Sequence, residues 1–189
     1  MSDSEHKKFG NLLAYHTAPT LLGIKCASLI SLSINEYDVE GHSCYFNRRA
    51  SVKGLCSRVM CSCGKRVLLL IYSEALLKKR LSDINVRKLL RQYGYGEKML
   101  PEDCLERLSQ RIRENDEFPH EIGLFLDYPV EDVVGFISNK GGNYKLCGCW
   151  KVYGCAESAR RTFANYDKCR KYLCNKLSEG TDIYQALKI

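Results

Sequence analysis

The chain has 189 residues, 45% hydrophobic and 27% charged, values that exclude an extended disordered chain. No apolar run approaches the length of a membrane-spanning helix; the longest, Val67 to Tyr72, is strand-sized. The formal charge of +7 does not mark a nucleic-acid binder. Residues 51–98 carry eleven basic and three acidic side chains and 139–189 ten and four, but the block between them, 99–138, carries three and ten. Blocks of opposite sign can neutralise each other within one fold, whereas nucleic-acid binders concentrate uncompensated Lys and Arg on one face.

The start, MSDSEHKK, precedes no apolar signal core. The eleven cysteines are odd in number and sit in a chain of ordinary size, so reduced thiols in a cytoplasmic protein are expected rather than a secreted disulfide framework. No linker divides the sequence. The expectation is a single domain over 1–189, with a flexible start at 1–5.

In chain order, Phe9, Leu12, Leu13 and His16 fall at helical spacing, predicting a helix over Glu5–His16 that Pro19 ends. Leu21 to Leu32 is apolar without clear period and fits strand or helix. A short helix is expected within Asn35–Arg49. Arg58 to Tyr72 reads as a β-hairpin turning at Gly64-Lys65, and its apolar second strand suits a central position covered on both faces.

Val86, Leu89, Leu90 and Tyr93 define a helix stopped by Gly94. Pro101 opens another, with Glu102 and Asp103 complementing its positive end. Ile122–Leu126 is predicted as a strand. Asp127 or Tyr128 then caps a helix led by Pro129, with Val130, Val133, Val134 and Ile137 inward and Gly141-Gly142 ending it.

Tyr144–Tyr153 is predicted as one strand, with Trp150 facing the core and Lys145, Lys151 and Tyr153 on the opposite face. A long helix over Ala156–Leu177 and a short one from Asp182 close the chain. The fold class is α+β: a small, mostly antiparallel sheet (57–63, 66–72, 121–126 and 144–153) with helices packed on it.

Three segments carry a resemblance: HTAPTLLGIK (16–25), FPHEIGLFLDYPVEDVVGFI (118–137) and NYKLCGCWKVYG (143–154). With them the chain resembles, from about Leu12 to Leu187, a family of domains of unknown function found mainly in anaerobic Gram-positive bacteria. The resemblance implies a cytoplasmic protein of one domain and brings no activity or catalytic residues. It also implies a glycine where this chain has Asp127.

Three constellations could do chemistry. His120 and Glu121, at the entry to the predicted strand, are residues of acid–base type on opposite sides of the backbone, so adjacency alone does not make them partners, and His16 is the candidate third group. Each histidine also has a purely structural reading, in a Pro-bearing turn or at the end of an apolar helix face. Lys145, Lys151 and Tyr153, donors on one predicted strand face, could hold a small anionic ligand, or form a solvated face.

The pairs Cys61/Cys63 and Cys147/Cys149 could meet at a metal if their strands were neighbours, but C-x-C spacing is weaker than C-x-x-C, and no metal site is assigned. No phosphate-cradling glycine loop, HExxH or GxSxG occurs. Three readings stand side by side: a small-molecule-binding protein or enzyme, an interaction module docking through the acidic 114–132 segment, and a metal or redox protein.

Overall fold

The computed structural model describes residues 3–114 and 117–189. Met1, Ser2, Asn115 and Asp116 lie outside the described residues, as do the side chains of Asp3 and Cys63. The fold is α+β. Backbone contacts divide it into two units, Met1–Leu76 with Tyr166–Ile189, and Leu77–Asn165.

The first unit is built on a three-stranded antiparallel sheet. Helix α1 (Asp3–Leu21) is followed by β1 (Ala27–Ser33), α2 (Val39–Ala50), β2 (Leu55–Cys63) and β3 (Arg66–Ser73). The strand order is β1-β3-β2. The apolar run of β3 therefore takes the central position expected of it, with Leu69, Leu70 and Ile71 fully buried. Gly64 makes the β2–β3 turn at φ 56°, a left-handed conformation that glycine adopts without steric cost. The ambiguous stretch after Leu21 resolves as β1, whose residues Ala27 to Ser33 pair with Tyr72 to Arg66 of β3.

Helix α1 runs past Pro19, where the sequence predicts its end. Proline removes one donor, leaving the carbonyl of Tyr15 without its helical partner. Arg170 Nε replaces that donor at 2.9 Å, and the helix continues for two residues. The buried stripe then passes through Phe9, Leu13, Thr17, Ala18 and Leu21. His16, expected at the end of the stripe, is exposed.

The unit is completed by the end of α8 (Ala156–Ser178) and by α9 (Ile183–Ala186). Cys169, Leu173 and Leu177 join Ile183 and Tyr184 in its apolar core. A reciprocal Asp182–Gln185 capping box starts α9.

The second unit contains the end of α3 (Glu74–Leu81), then α4 (Ile84–Arg91), α5 (Pro101–Glu114), α6 (Ile122–Phe125) and α7 (Val130–Ser138). A two-stranded ladder, β4 (Leu146–Cys147) with β5 (Lys151–Val152), and the start of α8 complete it.

Two expected strands are corrected here. Residues 122–125 are a helical turn, entered through Ile122, Gly123 and Leu124 amides bonded to the carbonyls of Pro119, His120 and Glu121. Ile122 to Leu126 are all buried, and a short run buried on every side carries no period to separate helix from strand. Residues 144–153 are a hairpin rather than one strand. The chain turns at Gly148-Cys149, where a Cβ on Gly148 would lie 2.3 Å from Phe163 Cε2. Neither segment joins the three-stranded sheet.

Candidate functional site

A groove of about 420 Å³ opens in the second unit. Its walls come from the α6–α7 region and from the β4–β5 hairpin, and include His120, Tyr128, Phe136, Trp150 and Lys151. The sequence explains this assembly from the helices outward. Glycine at 135 on α7 lets the Tyr153 ring pack directly on the helix, where a Cβ would lie 2.4 Å from Tyr153 Cγ. The hairpin thus lies close against α7.

Asp132 fixes that contact. Its buried carboxylate accepts Trp150 Nε1 at 2.7 Å on one oxygen, and the amides of Tyr153 and Gly154 at 2.7 and 2.8 Å on the other. Three donors offset the cost of burying a carboxylate. Asp132 lines the groove, yet its charge is spent on the hairpin.

Trp150, 8% exposed, stacks on Tyr128 at 5.0 Å and meets the edge of Phe163 at 4.5 Å. Burial pushes the Tyr128 phenol up to about 12, with Cys149 adding to the rise. It therefore stays protonated near neutral pH and donates to the Cys149 carbonyl at 3.3 Å.

Lys151 supplies the cation. Its Nζ donates to the Gly141 carbonyl at 2.7 Å and lies 5.0 Å from the Tyr144 ring and 5.7 Å from the Phe136 ring. It pairs with no carboxylate among the described residues. His120 is exposed and stands edge-on to Phe136 at 4.9 Å. The result is a mainly aromatic and aliphatic groove with an imidazole and an ammonium on its lining.

The other predicted site residues have different surroundings. Glu121 is fully buried and turns to Arg111, with which it forms a close ion pair, and to Tyr95, whose hydroxyl donates at 3.3 Å. Its second oxygen has no hydrogen-bond partner among the described residues. Burial, then the Glu121 carboxylate, raises the Tyr95 phenol. Lys145 Nζ donates to the Gly154 carbonyl at 2.9 Å, and the buried Tyr153 hydroxyl finds no partner among the described residues. The hairpin thus gives the three predicted donors three separate settings, and only Lys151 lines the groove.

His16 belongs to the first unit. It lies against Tyr15, and partial desolvation of its otherwise exposed ring, followed by the nearby Arg170 charge, lowers its pKa. Cys61 is in the first unit, Cys147 and Cys149 in the second. Among the described residues, no three His, Cys, Asp or Glu side chains cluster as metal ligands.

Sequence reasoning did not find Tyr128, Phe136 or Asp132 as site residues. The dense aromatics around FPHEIGLFLDYP were the available signal, but a stripe of apolar residues at helical spacing reads first as core.

Fold and groove together define an α+β protein whose second unit carries an aromatic groove with a lysine and a histidine on its lining. A family model described as a protein of unknown function (DUF3793) matches residues 13–187, and the chain belongs to that family. No curated protein and no solved structure matches it. Among the described residues no helix is long and apolar enough to cross a membrane.

Proposed function

We propose that this is a cytoplasmic small-molecule-binding protein whose ligand has a flat apolar body and one anionic group. The body would lie against Trp150, Tyr128 and Phe136, and Lys151, with His120 beside it, would hold the anion. One observation carries the reading: Lys151 lines a groove of aromatic walls without a carboxylate partner among the described residues. Ligand sites are commonly concave and largely apolar, with few oriented polar groups, and this groove falls in their usual size range. A proton-transfer step, if the bound molecule is turned over, would fall to His120. Glu121 is committed to Arg111.

The cytoplasmic assignment draws on the thiols. Cys104 and Cys169 are buried as small apolar groups, and burial raises both pKa values, as suits inert structural cysteines. Docking through the acidic 114–132 segment has less support. Three of its carboxylates are engaged within the fold: Glu121 by Arg111, Asp127 by Arg80, and Asp132 by Trp150.

Trp150 is the only tryptophan, so its emission reports on the groove directly. Titration with phenylacetate should give a saturable change in that emission, and phenylacetamide, the uncharged analogue, a much weaker one. Lys151→Met, which keeps the alkyl stem, should weaken phenylacetate about tenfold, the worth of one charge-assisted hydrogen bond. A change that fails to saturate, or one equal for both compounds and both proteins, would overturn the assignment.

A further inference from the structure

The first unit holds a separate cavity of about 310 Å³, lined in part by His6, Lys7, Tyr45, Arg49, Asp182 and Tyr184. Its organising group is Arg49. The guanidinium lies 4.7 Å from the Tyr184 ring and donates Nη1 to the Tyr45 hydroxyl at 3.3 Å. Tyr184 is itself buried and meets Tyr45 edge-on at 5.5 Å, so the stack is anchored in the core. Arg49 pairs with no carboxylate among the described residues. A half-buried guanidinium held by two rings, with donors left over, is pre-organised to receive a planar or tetrahedral oxyanion.

Lys7 adds a second cation to the lining and His6 an imidazole. Lys7 and His6 stand on the first turns of α1, and the His6 ring packs on Tyr45 at 4.3 Å. Asp182 is the one carboxylate on the lining, and its Oδ1 is taken by the Gln185 amide at 2.8 Å in the cap of α9. Lys53, close in sequence to Arg49, is absent from the lining because its ammonium donates to the Leu187 carbonyl at 2.6 Å.

We infer that this cavity is an oxyanion site for the phosphate or carboxylate group of a small molecule, with Arg49 as its main donor and Lys7 and His6 completing it. The site is independent of the groove in the second unit. Neither its residues nor its charge enters the reading of Lys151.

The test is a titration with inorganic phosphate and, separately, acetate, followed by NMR on the Arg49 Nε–H and the Tyr45 and Tyr184 rings. At least one anion should shift these signals saturably, and which of the two binds tighter assigns the group. Arg49→Ala should weaken that binding tenfold or more, the loss of a charged donor pair. Arg49→Lys keeps the charge without the fork and should fall between. Lys7→Gln, at an exposed position, should weaken binding less than Arg49→Ala while leaving the spectrum otherwise intact. Lys151→Met should leave it unchanged, which separates this site from the groove. Absence of saturation with both anions would overturn the assignment. So would binding that survives both Arg49→Lys and Lys7→Gln unweakened.

Discussion

Asp132 and Trp150 are joined by a 2.7 Å hydrogen bond from the indole nitrogen to a carboxylate that also accepts two hairpin amides. Sequence separates the two residues by eighteen positions, and the bond ties α7 to the hairpin. Asp132→Ala strips three donors at once. The expected cost is about 3 kcal/mol, because buried donors left without an acceptor lose their full hydration. Asp132→Asn should cost less, since its carbonyl oxygen can still accept. Denaturant unfolding followed by Trp150 emission measures both variants. Equal stability of wild type and Asp132→Ala would mean that the hairpin is held by other contacts.

Asp127 adopts φ 66°, the left-handed conformation, at the position where the family resemblance implies glycine. Its carboxylate lies 3.6 Å from Arg80 Nε, a partly exposed pair of small worth. Asp127→Gly and Asp127→Ala both delete that pair and differ in whether a Cβ must occupy the left-handed region. Asp127→Ala should therefore be the less stable by about 1 kcal/mol. Comparison of the two variants by chemical unfolding isolates the backbone contribution, and a ranking in the other direction would refute it.

The Arg111–Glu121 pair has side chains 21% and 1% exposed. Removing the arginine leaves a buried carboxylate without its counter-charge. Arg111→Met should cost about 3 kcal/mol, and Arg111→Met with Glu121→Leu should recover part of that loss, because a buried ion pair gains little over apolar packing. If the double variant is no more stable than Arg111→Met alone, Glu121 does not depend on its partner.

His42 is buried, stacked on Phe9 at 4.3 Å, with His6 5.5 Å away. Burial first, then the His6 charge, lowers its pKa against opposing effects of Asp38 and Glu5. His16 is lowered as well. The sign follows from linkage. Unfolded histidines take up protons near pH 6.5 while these two resist, so the unfolded state binds more protons and gains as pH falls. Stability should be level between about pH 7 and 8, before thiols ionise, and decline as pH drops below about 6.5. In the window above pH 5, before most carboxylates titrate, His42→Gln with His16→Gln should flatten the decline. An unchanged pH slope in that double variant would place its origin elsewhere.

The sequence made some of this architecture legible and hid the rest for physical reasons. The β2–β3 hairpin was readable because Gly64 and the apolar run of β3 are local signals, and α5 and α8 because their stripes keep one period. In α7 the helix was legible but its inward face was not: of Val130, Val133, Val134 and Ile137 only Val133 is buried, and Val134 is exposed. The continuation of α1 past Pro19 depends on a guanidinium 151 positions away in the chain, and no local rule contains Arg170. Ile122–Leu126, buried on every side, lost the polar positions that would have shown its period. At the groove, His120 and Lys151 were legible as chemistry-bearing residues beside turns. Glu121 was misassigned to the same cluster because adjacency in sequence does not fix direction, and Arg111 draws it elsewhere. Asp132 was readable as a helix-start acid, but its bond to Trp150 exists only once the hairpin folds back.

That bond carries a kinetic consequence. Because the α7 wall and the hairpin wall are braced through one carboxylate, their spacing is set before any visitor arrives. Entry into the groove would then be limited by encounter, not by a gating motion, and little disorder would be lost on docking. The Tyr153 and Gly154 amides, bonded to Asp132, would exchange with solvent only when the brace opens, so their protection reads its lifetime hydrogen by hydrogen.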